Sequence, residues 1–412
     1  MAKKKIKRIW HPIVVQTSKG LEDVLYKEVL ALGGRKVERR PFTVSFEGDR
    51  RLLYKANLEL RTAIRVLKPL FQFQFKTQEE FYYRLREHDW LAIFGVKDSF
   101  LIEASVQSQI FTHSKYLKQK AKDAIVDKFR HARNVRPSVD TEQPDFRFHL
   151  YVQEDQCTVS LDSSGAPLNQ RGYRSVTGEA PINEALAAML ILQSGWDGQS
   201  VLLDPMCGAG TIAIEAALYA SRIAPGLLRK EYAFMRWRDY QPAIYASLIE
   251  EARHQIRPGK PGLIFARDRD EGLLRHTAEN IRRAGVSELI DLKAGDFFRA
   301  PAPADQGTLI MNPPYGERLK PRAIGRFYKA IGDQLAELYA AWSTTIISSN
   351  YEALESIALP VAKRTNVRNG SLLCEVQQIR PARSMEQAPV PDTTVRADSP
   401  ESQENDLAPN KN

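Results

Sequence analysis

Apolar positions along this chain repeat with two different periods, and the places where the period changes divide it into parts. Ile13-Val14-Val15 predicts a strand and Thr17-Ser18-Lys19-Gly20 a turn. Leu21, Val24, Leu25, Val29 and Leu30 then fall at helical spacing, with Gly33-Gly34 as the stop. Thr43-Val44-Ser45-Phe46 predicts a second strand, so residues 1–61 read as a small α+β unit. Residues 62–160 mix strand signals, Ser99 to Val106 and Phe146 to Val152, with a helical stretch from Ser114 to Arg130. Leu161 to Arg174 is rich in Gly, Ser, Asn and Arg and opens a predicted connector over 161–181.

Over 182–381 short apolar strands alternate with helices, as in an α/β sheet. The strands are Val201-Leu202-Leu203, Leu263 to Ala266, Ile290 to Leu292, Thr308 to Met311 and Thr344 to Ser348, with helices at Thr211 to Ala220 and Glu271 to Ala284. Asn369-Gly370 then separates two strand-like runs, Arg364 to Arg368 and Ser371 to Ile379. Asn-Gly in that setting signals a hairpin, so the sheet should end in antiparallel strands. Residues 382–412 are Pro, Ser, Glu, Asp and Asn with few aliphatics, a composition that predicts disorder.

Charge enters next. The chain carries +9, but the 382–412 tail holds three basic and six acidic residues, so the rest carries +12. Such a surplus suits a polyanionic partner, or simply a soluble surface. Three well-separated cysteines (Cys157, Cys207, Cys374) exclude a disulfide scaffold and a Cys-rich metal site, and fit a reducing, cytoplasmic setting. No metal is expected. No apolar run approaches the ~20 residues of a membrane span. The basic start, Lys3 to Arg8, has no apolar stretch behind it and so is not a secretory signal.

Candidate chemistry gathers at strand ends. Leu203-Asp204-Pro205-Met206-Cys207-Gly208-Ala209-Gly210-Thr211 joins a buried strand to a helix through a Gly-x-Gly turn, where backbone can approach a ligand and a helix N-terminus supplies N–H donors. A P-loop would need Gly-Lys-Ser/Thr, which is missing. A dinucleotide turn would want an acid ~20 residues on at a strand tip. Glu231 has that distance but no strand before it, and the first acid at a strand tip is Asp268. A carboxylate at Asp268 could accept both ribose hydroxyls of a nucleoside. Asp296 follows the third strand and could accept from an adenine amino group, with Phe297 packing on the ring.

Asn312-Pro313-Pro314-Tyr315-Gly316 directly follows the fourth strand. An amino group conjugated to an aromatic base is a poor nucleophile because its lone pair is delocalised. The Asn312 side-chain oxygen and the Pro313 carbonyl could accept its N–H hydrogens and favour the charge that grows on nitrogen during methyl transfer. Two prolines stiffen the loop, and Tyr315 would stack on an extruded base. Cys207 lies in the glycine turn, the wrong strand tip for a pyrimidine-attacking thiolate, and reads as a packed lining residue.

The basic stretch Ser114 to Arg130 offers Lys115, Lys118 and Lys120 as phosphate contacts, with a solvated helix face as the alternative. Arg171 and Arg174 in the connector join them as candidate RNA contacts.

On these residues the chain resembles the THUMP-domain class I RNA methyltransferases, and within them the bacterial 23S rRNA guanine-N2 methyltransferases. The resemblance runs from Ile13 to Pro381. It rests on Asp204 to Thr211, on Asn312 to Tyr315 continued by Gly316-Glu317-Arg318-Leu319, and on Arg171-Gly172-Tyr173-Arg174 followed by Ala180-Pro181-Ile182-Asn183-Glu184. It implies an α/β, Rossmann-like class I methyltransferase domain over 182–381, a mostly parallel sheet with an antiparallel C-terminal hairpin. Before it come a ferredoxin-like unit at 1–61 and a THUMP domain at 62–160, which together grip RNA. It also implies S-adenosylmethionine as cofactor, held by Asp204, Pro205, Cys207, Gly208, Gly210, Thr211, Asp268, Asp296 and Phe297. Asn312, Pro313, Pro314 and Tyr315 would hold the target base. Arg222 to Gln255, with Phe234 and Trp237, resembles an insertion typical of the group. Arg267 and Arg269 flank Asp268 where small or apolar residues are more usual. The expected activity is transfer of methyl to N2 of a guanine in 23S rRNA, on free RNA or an assembling large subunit. The alternatives are a tRNA guanine-N2 enzyme, a DNA adenine-N6 enzyme, and a non-catalytic RNA-binding or ribosome-assembly factor.

Overall fold

A computed structural model describes residues 9–174, 182–315 and 321–380. The basic N-terminal arm, Ala180-Pro181, the Gly316 to Leu319 string and the polar tail lie outside the described residues. The chain begins with β1 (His11–Gln16), α1 (Glu22–Leu32), β2 (Arg35–Arg40), β3 (Thr43–Gly48), α2 (Arg50–Glu59) and β4 (Arg65–Gln74). It continues through α3 (Gln78–Glu87), α4 (Trp90–Ile93), β5 (Ser99–Gln107), α5 (Ser114–Arg133), β6 (Ser138–Val139), β7 (Phe146–Gln153) and β8 (Gln156–Asp162).

These strands form one eight-stranded sheet in the order β2-β3-β1-β4-β8-β7-β5-β6. β4 belongs to both halves: Arg65 to Leu67 pair with β1, while Leu67 to Gln74 run against β8. The register shifts between Pro69 and Phe71, where proline has no N–H for the ladder. The hydrophobic pattern missed β2, because Arg-Lys-Val-Glu-Arg-Arg is an exposed edge strand whose charges discourage further pairing. It also missed α2, whose start is marked by Asp49 accepting the Leu52 N–H at 2.9 Å.

The second half comprises α6 (Glu184–Ser194), β9 (Leu202–Asp204), α7 (Thr211–Ala220), α8 (Pro242–His254), β10 (Ile264–Asp268), α9 (Glu271–Ala284), β11 (Ile290–Ala294) and β12 (Thr308–Met311). Then follow α10 (Pro321–Leu338), β13 (Ser343–Ser348), α11 (Tyr351–Glu355), β14 (Val361–Asn369) and β15 (Leu372–Ile379). The sheet order is β11-β10-β9-β12-β13-β15-β14. The first five are parallel, and β15 runs antiparallel to both β13 and β14. This is the expected Rossmann-like α/β architecture with an antiparallel C-terminal hairpin.

The two halves share their cores. The Arg222 to Gln255 segment leaves the second half and buries Tyr232, Phe234, Trp237, Leu248 and Ala252 in the core of the first. The Phe234 ring stacks on Tyr54 with centroids 4.2 Å apart. In exchange, Leu21 at the start of α1 is buried in the core of the second half. Gly20 fits there because a Cβ would meet the Asn366 carbonyl at 2.3 Å. The predicted connector is likewise no loose tether: Ser163, Ser164, Leu168, Arg171 and Tyr173 are buried. No described helix is long and apolar enough to cross a membrane.

Candidate active site

Ligands of open α/β sheets bind beyond the carboxyl ends of the strands, where the strand order reverses. Here the reversal lies between β9 and β12: the chain proceeds from β9 outward to β10 and β11, then returns to β12 on the other side. Asp296, Asp268, Asp204 and Asn312 follow or close four successive neighbours, β11, β10, β9 and β12. At ~4.8 Å per strand they span roughly 14 Å along one edge.

Asp204 is fully buried; among the described residues no hydrogen bond of full geometry reaches its carboxylate, and the backbone N–H groups of Met206 and Ala213 offset only part of the cost of burial. Burial first, and then the neighbouring Asp268 carboxylate, push its pKa well above the ordinary range. The glycine turn that follows is fastened from outside. The Gly208 N–H donates to Asp268 Oδ2 at 2.9 Å, the Thr277 hydroxyl to the Gly208 carbonyl at 2.5 Å, and the Asn280 amide to the Ala209 carbonyl at 3.1 Å. Gly208 (φ +50°) faces open space, whereas a Cβ on Gly210 (φ +78°) would strike Thr277 Cγ2 at 2.7 Å. Asp268 is half-buried, its other oxygen accepting the Asp270 N–H at 3.0 Å. Arg267 is drawn sideways onto Asp291 of β11 at 3.0 Å, leaving Asp268 free of its guanidinium. Cys207 is buried and its thiol pushed up, by burial above all, as suits a lining residue.

At the β12 end, Asn312 is half-buried and its side-chain oxygen accepts the Tyr315 hydroxyl at 2.5 Å. Tyr315 is half-buried too, packed against the core of the second half, and burial raises its pKa. Its ring is thus no free platform in this conformation. Tyr328 of α10 donates toward the Pro314 carbonyl at 3.3 Å, and the Asn350 amide to the Tyr315 carbonyl at 3.4 Å.

Three expectations need correction. Phe297 does not offer its ring to an adenine: it is 4% exposed and stacks on Tyr339, with centroids 5.5 Å apart. Asp296 is half-buried and accepts the Phe298 N–H at 3.0 Å. Arg171 is no surface cation: it is buried at 1% exposure, ion-paired with Glu215 at 3.4 Å, and donates to the Leu168 and Arg61 carbonyls. Arg174 also turns inward, pairing with Glu184 at 3.0 Å and donating to the Thr211 hydroxyl at 3.0 Å. Arg174 therefore braces the first turn of α7 through Thr211, and Arg171 the next turn through Glu215. The sequence of the helix itself carries no hint of them, because both come from far back along the chain.

On α5, Lys115 is exposed, Lys118 lies 3.5 Å from Glu103, and Lys120 lies 3.9 Å from Glu79. Lys120, Lys122, Arg130 and Arg136 line a groove of 830 Å³ with Tyr82 and Tyr83. Among the described residues no cluster of three or more His, Cys, Asp or Glu could hold a metal ion.

Three regions match known families. Residues 12–67 match the RlmL ferredoxin-like domain, residues 75–162 the THUMP domain, and residues 171–378 the RMKL-like methyltransferase domain. Similar solved structures cover nearly the whole chain. SMU.472, described as a methyltransferase complexed with SAH, is 30% identical over 91% of this chain and 99% of its own, with TM-score 0.81. A possible methylase from Clostridium difficile 630 is 28% identical over 90% and 98%, with TM-score 0.82. A protein from Listeria monocytogenes, described as a predicted N6-adenine-specific DNA methylase, is 27% identical over 90% and 96%, with TM-score 0.79.

Proposed function

Since the chain belongs to the RMKL-like methyltransferases and is an S-adenosylmethionine-dependent enzyme with a THUMP domain, we propose that it methylates N2 of a guanine in large-subunit rRNA. The observation that carries the reading is the adjacency across the β9/β12 reversal: a Gly-x-Gly turn on one side and Asn312-Pro313-Pro314-Tyr315 on the other.

The residues present fit the cofactor. Asp204 is a buried acid with no hydrogen bond of full geometry among the described residues, and Gly208 borders open space that a side chain would fill. Pro205, Cys207, Gly208, Gly210 and Thr211 would surround its methionine part, Asp268 would take the ribose hydroxyls, and Asp296 the adenine edge. When bound, S-adenosylmethionine supplies an electrophilic methyl group. Asn312 Oδ1 and the Pro313 carbonyl would accept the two N–H hydrogens of the base amino group, aligning its lone pair and stabilising positive charge as it builds. The cationic nitrogen then sheds a proton readily, so no strong base is required. Tyr315 would swing from Asn312 to stack on the base.

Guanine N2 and adenine N6 are both exocyclic amines, and this loop chemistry would serve either. The THUMP domain favours RNA over the DNA substrate named for the Listeria protein. The test is mass spectrometry of nucleosides from size-separated rRNA and tRNA, with and without the gene. Loss of N2-methylguanosine from large rRNA alone supports the proposal. Loss from tRNA moves the substrate, and no change of N2-methylguanosine in either pool rejects the guanine-N2 reading.

A further inference from the structure

The Asn312 to Tyr315 loop has an unusual mechanical problem. Two of its four residues are prolines, which have no N–H to anchor by, so the loop must be held through its carbonyls. Two of those carbonyls are held by side chains from elsewhere. Tyr328 on α10 is fully buried, and its hydroxyl reaches the Pro314 carbonyl at 3.3 Å and the Ser348 hydroxyl at 2.8 Å. Ser348, the last residue of β13 and also fully buried, accepts the Asn350 N–H at 3.1 Å. Asn350 sends its side-chain amide to the Tyr315 carbonyl at 3.4 Å, while its side-chain oxygen caps α11 by accepting the Ala353 N–H at 2.9 Å.

The direction of this chain is determined by its ends. A backbone N–H can only donate and a proline carbonyl can only accept. Both hydroxyls between them therefore point the same way: Asn350 N–H to Ser348, Ser348 to Tyr328, Tyr328 to Pro314. Each hydroxyl donates once and accepts once, an arrangement in which neighbouring bonds polarise and strengthen one another. A phenylalanine would fill the pocket of Tyr328 equally well, so packing alone does not account for a buried hydroxyl there.

We propose that Tyr328 is a positioning residue for methyl transfer: through its hydroxyl, backed by Ser348, it holds the Pro314 carbonyl and so aims the acceptors at Asn312 and Pro313 toward the reacting amine. This rests on the reading of that loop as the base-binding element. Tyr328 touches neither cofactor nor base, and its effect is on kcat.

The experiment compares Tyr328→Phe, Ser348→Ala and Asn312→Ala in the full chain. It measures single-turnover rate, the S-adenosylmethionine KM, affinity for S-adenosylhomocysteine by calorimetry, and melting temperature. Tyr328→Phe should lower kcat about ten- to hundredfold, the scale of a misaimed catalytic group, with cofactor KM and affinity unchanged. Ser348→Ala leaves the Tyr328 hydroxyl in place and should give a smaller fall with the same selectivity for kcat, which keeps the test open should Tyr328→Phe fold poorly. A wild-type kcat in Tyr328→Phe overturns the proposal. So does a fall in kcat matched by equal losses of cofactor affinity and melting temperature, which marks a structural role only. Full turnover in Asn312→Ala would instead remove the underlying reading of the loop, whatever Tyr328 does.

Discussion

The hydroxyl of Tyr315 donates to the side-chain oxygen of Asn312 across 2.5 Å, so two groups proposed to meet the base satisfy each other instead. The bond ties the two side chains together and gives the incoming amino group a competitor to displace. On this view the tyrosine ring matters to the complex and its hydroxyl only to the resting state. Tyr315→Phe should keep kcat/KM within about threefold of wild type. Tyr315→Ala should lose about five- to a hundredfold, the range of base stacking on an aromatic ring. Equal losses in both variants, measured on the same RNA, would show that the hydroxyl takes part in the reaction.

Asp204 sets stability against cofactor binding. Burial raises its folded pKa, so the neutral form is favoured in the cofactor-free fold. The sign follows from linkage: no penalty exists below the ordinary carboxylate range, and stability is lost as pH rises above it. Asp204→Asn mimics the neutral form and should stabilise the cofactor-free protein at neutral pH by about 1–3 kcal/mol, the usual cost of an unsatisfied buried polar group. That advantage should vanish in acid, and S-adenosylhomocysteine affinity should drop. Melting curves between pH 4 and 8 with calorimetry decide it; a variant that is no more stable at neutral pH would show that Asp204 is already satisfied.

How much of this was legible in the sequence follows from how local each feature is. Asp204, Asp268, Asp296 and Asn312 each come at or just past the end of an apolar run, so their place at neighbouring strand ends could be read from the run and the turn after it. The hairpin at Asn369-Gly370 was legible for the same reason. Phe297 was misjudged because the direction of its ring depends on Tyr339, which lies just past the end of α10. Arg171 and Arg174 looked like surface cations in a polar connector. Glu215 reaches Arg171 from far along the chain through the packing of α7, and Glu184, although close to Arg174 in sequence, meets it only because of how α6 packs. The insertion around Phe234 joins a core laid down almost 200 residues earlier, with Tyr54.

Arg171 gives a clean separation of structural and RNA-binding roles. It pairs with Glu215 in a site with almost no solvent, where Tyr173 also donates to the carboxylate at 3.2 Å. Arg171→Leu strands a buried charge and should cost about 3 kcal/mol or more in chemical denaturation. Arg171→Leu combined with Glu215→Leu should recover much of that loss, because the pair is removed rather than broken. Neither variant should alter the salt dependence of RNA binding in whatever fraction stays folded. A change in that slope would return Arg171 to the RNA surface.

The lysines of α5 are the better electrostatic candidates, but they are not equivalent. Lys115 is exposed, whereas Lys118 and Lys120 are partly offset by Glu103 and Glu79. Each cation that releases a counterion adds ~0.7 to the salt slope on single strands and ~0.9 on duplex. Three independent contacts would therefore remove more than two from the slope when neutralised. With two lysines already engaged by carboxylates, Lys115→Gln, Lys118→Gln and Lys120→Gln together should weaken binding and remove about one to two instead. The measurement is affinity for rRNA fragments across a salt series. An unchanged slope would make this face a solvated one and shift attention to Lys122, Arg130 and Arg136 in the neighbouring groove. A loss of more than two would mean that the RNA pulls Lys118 and Lys120 away from their carboxylates on binding.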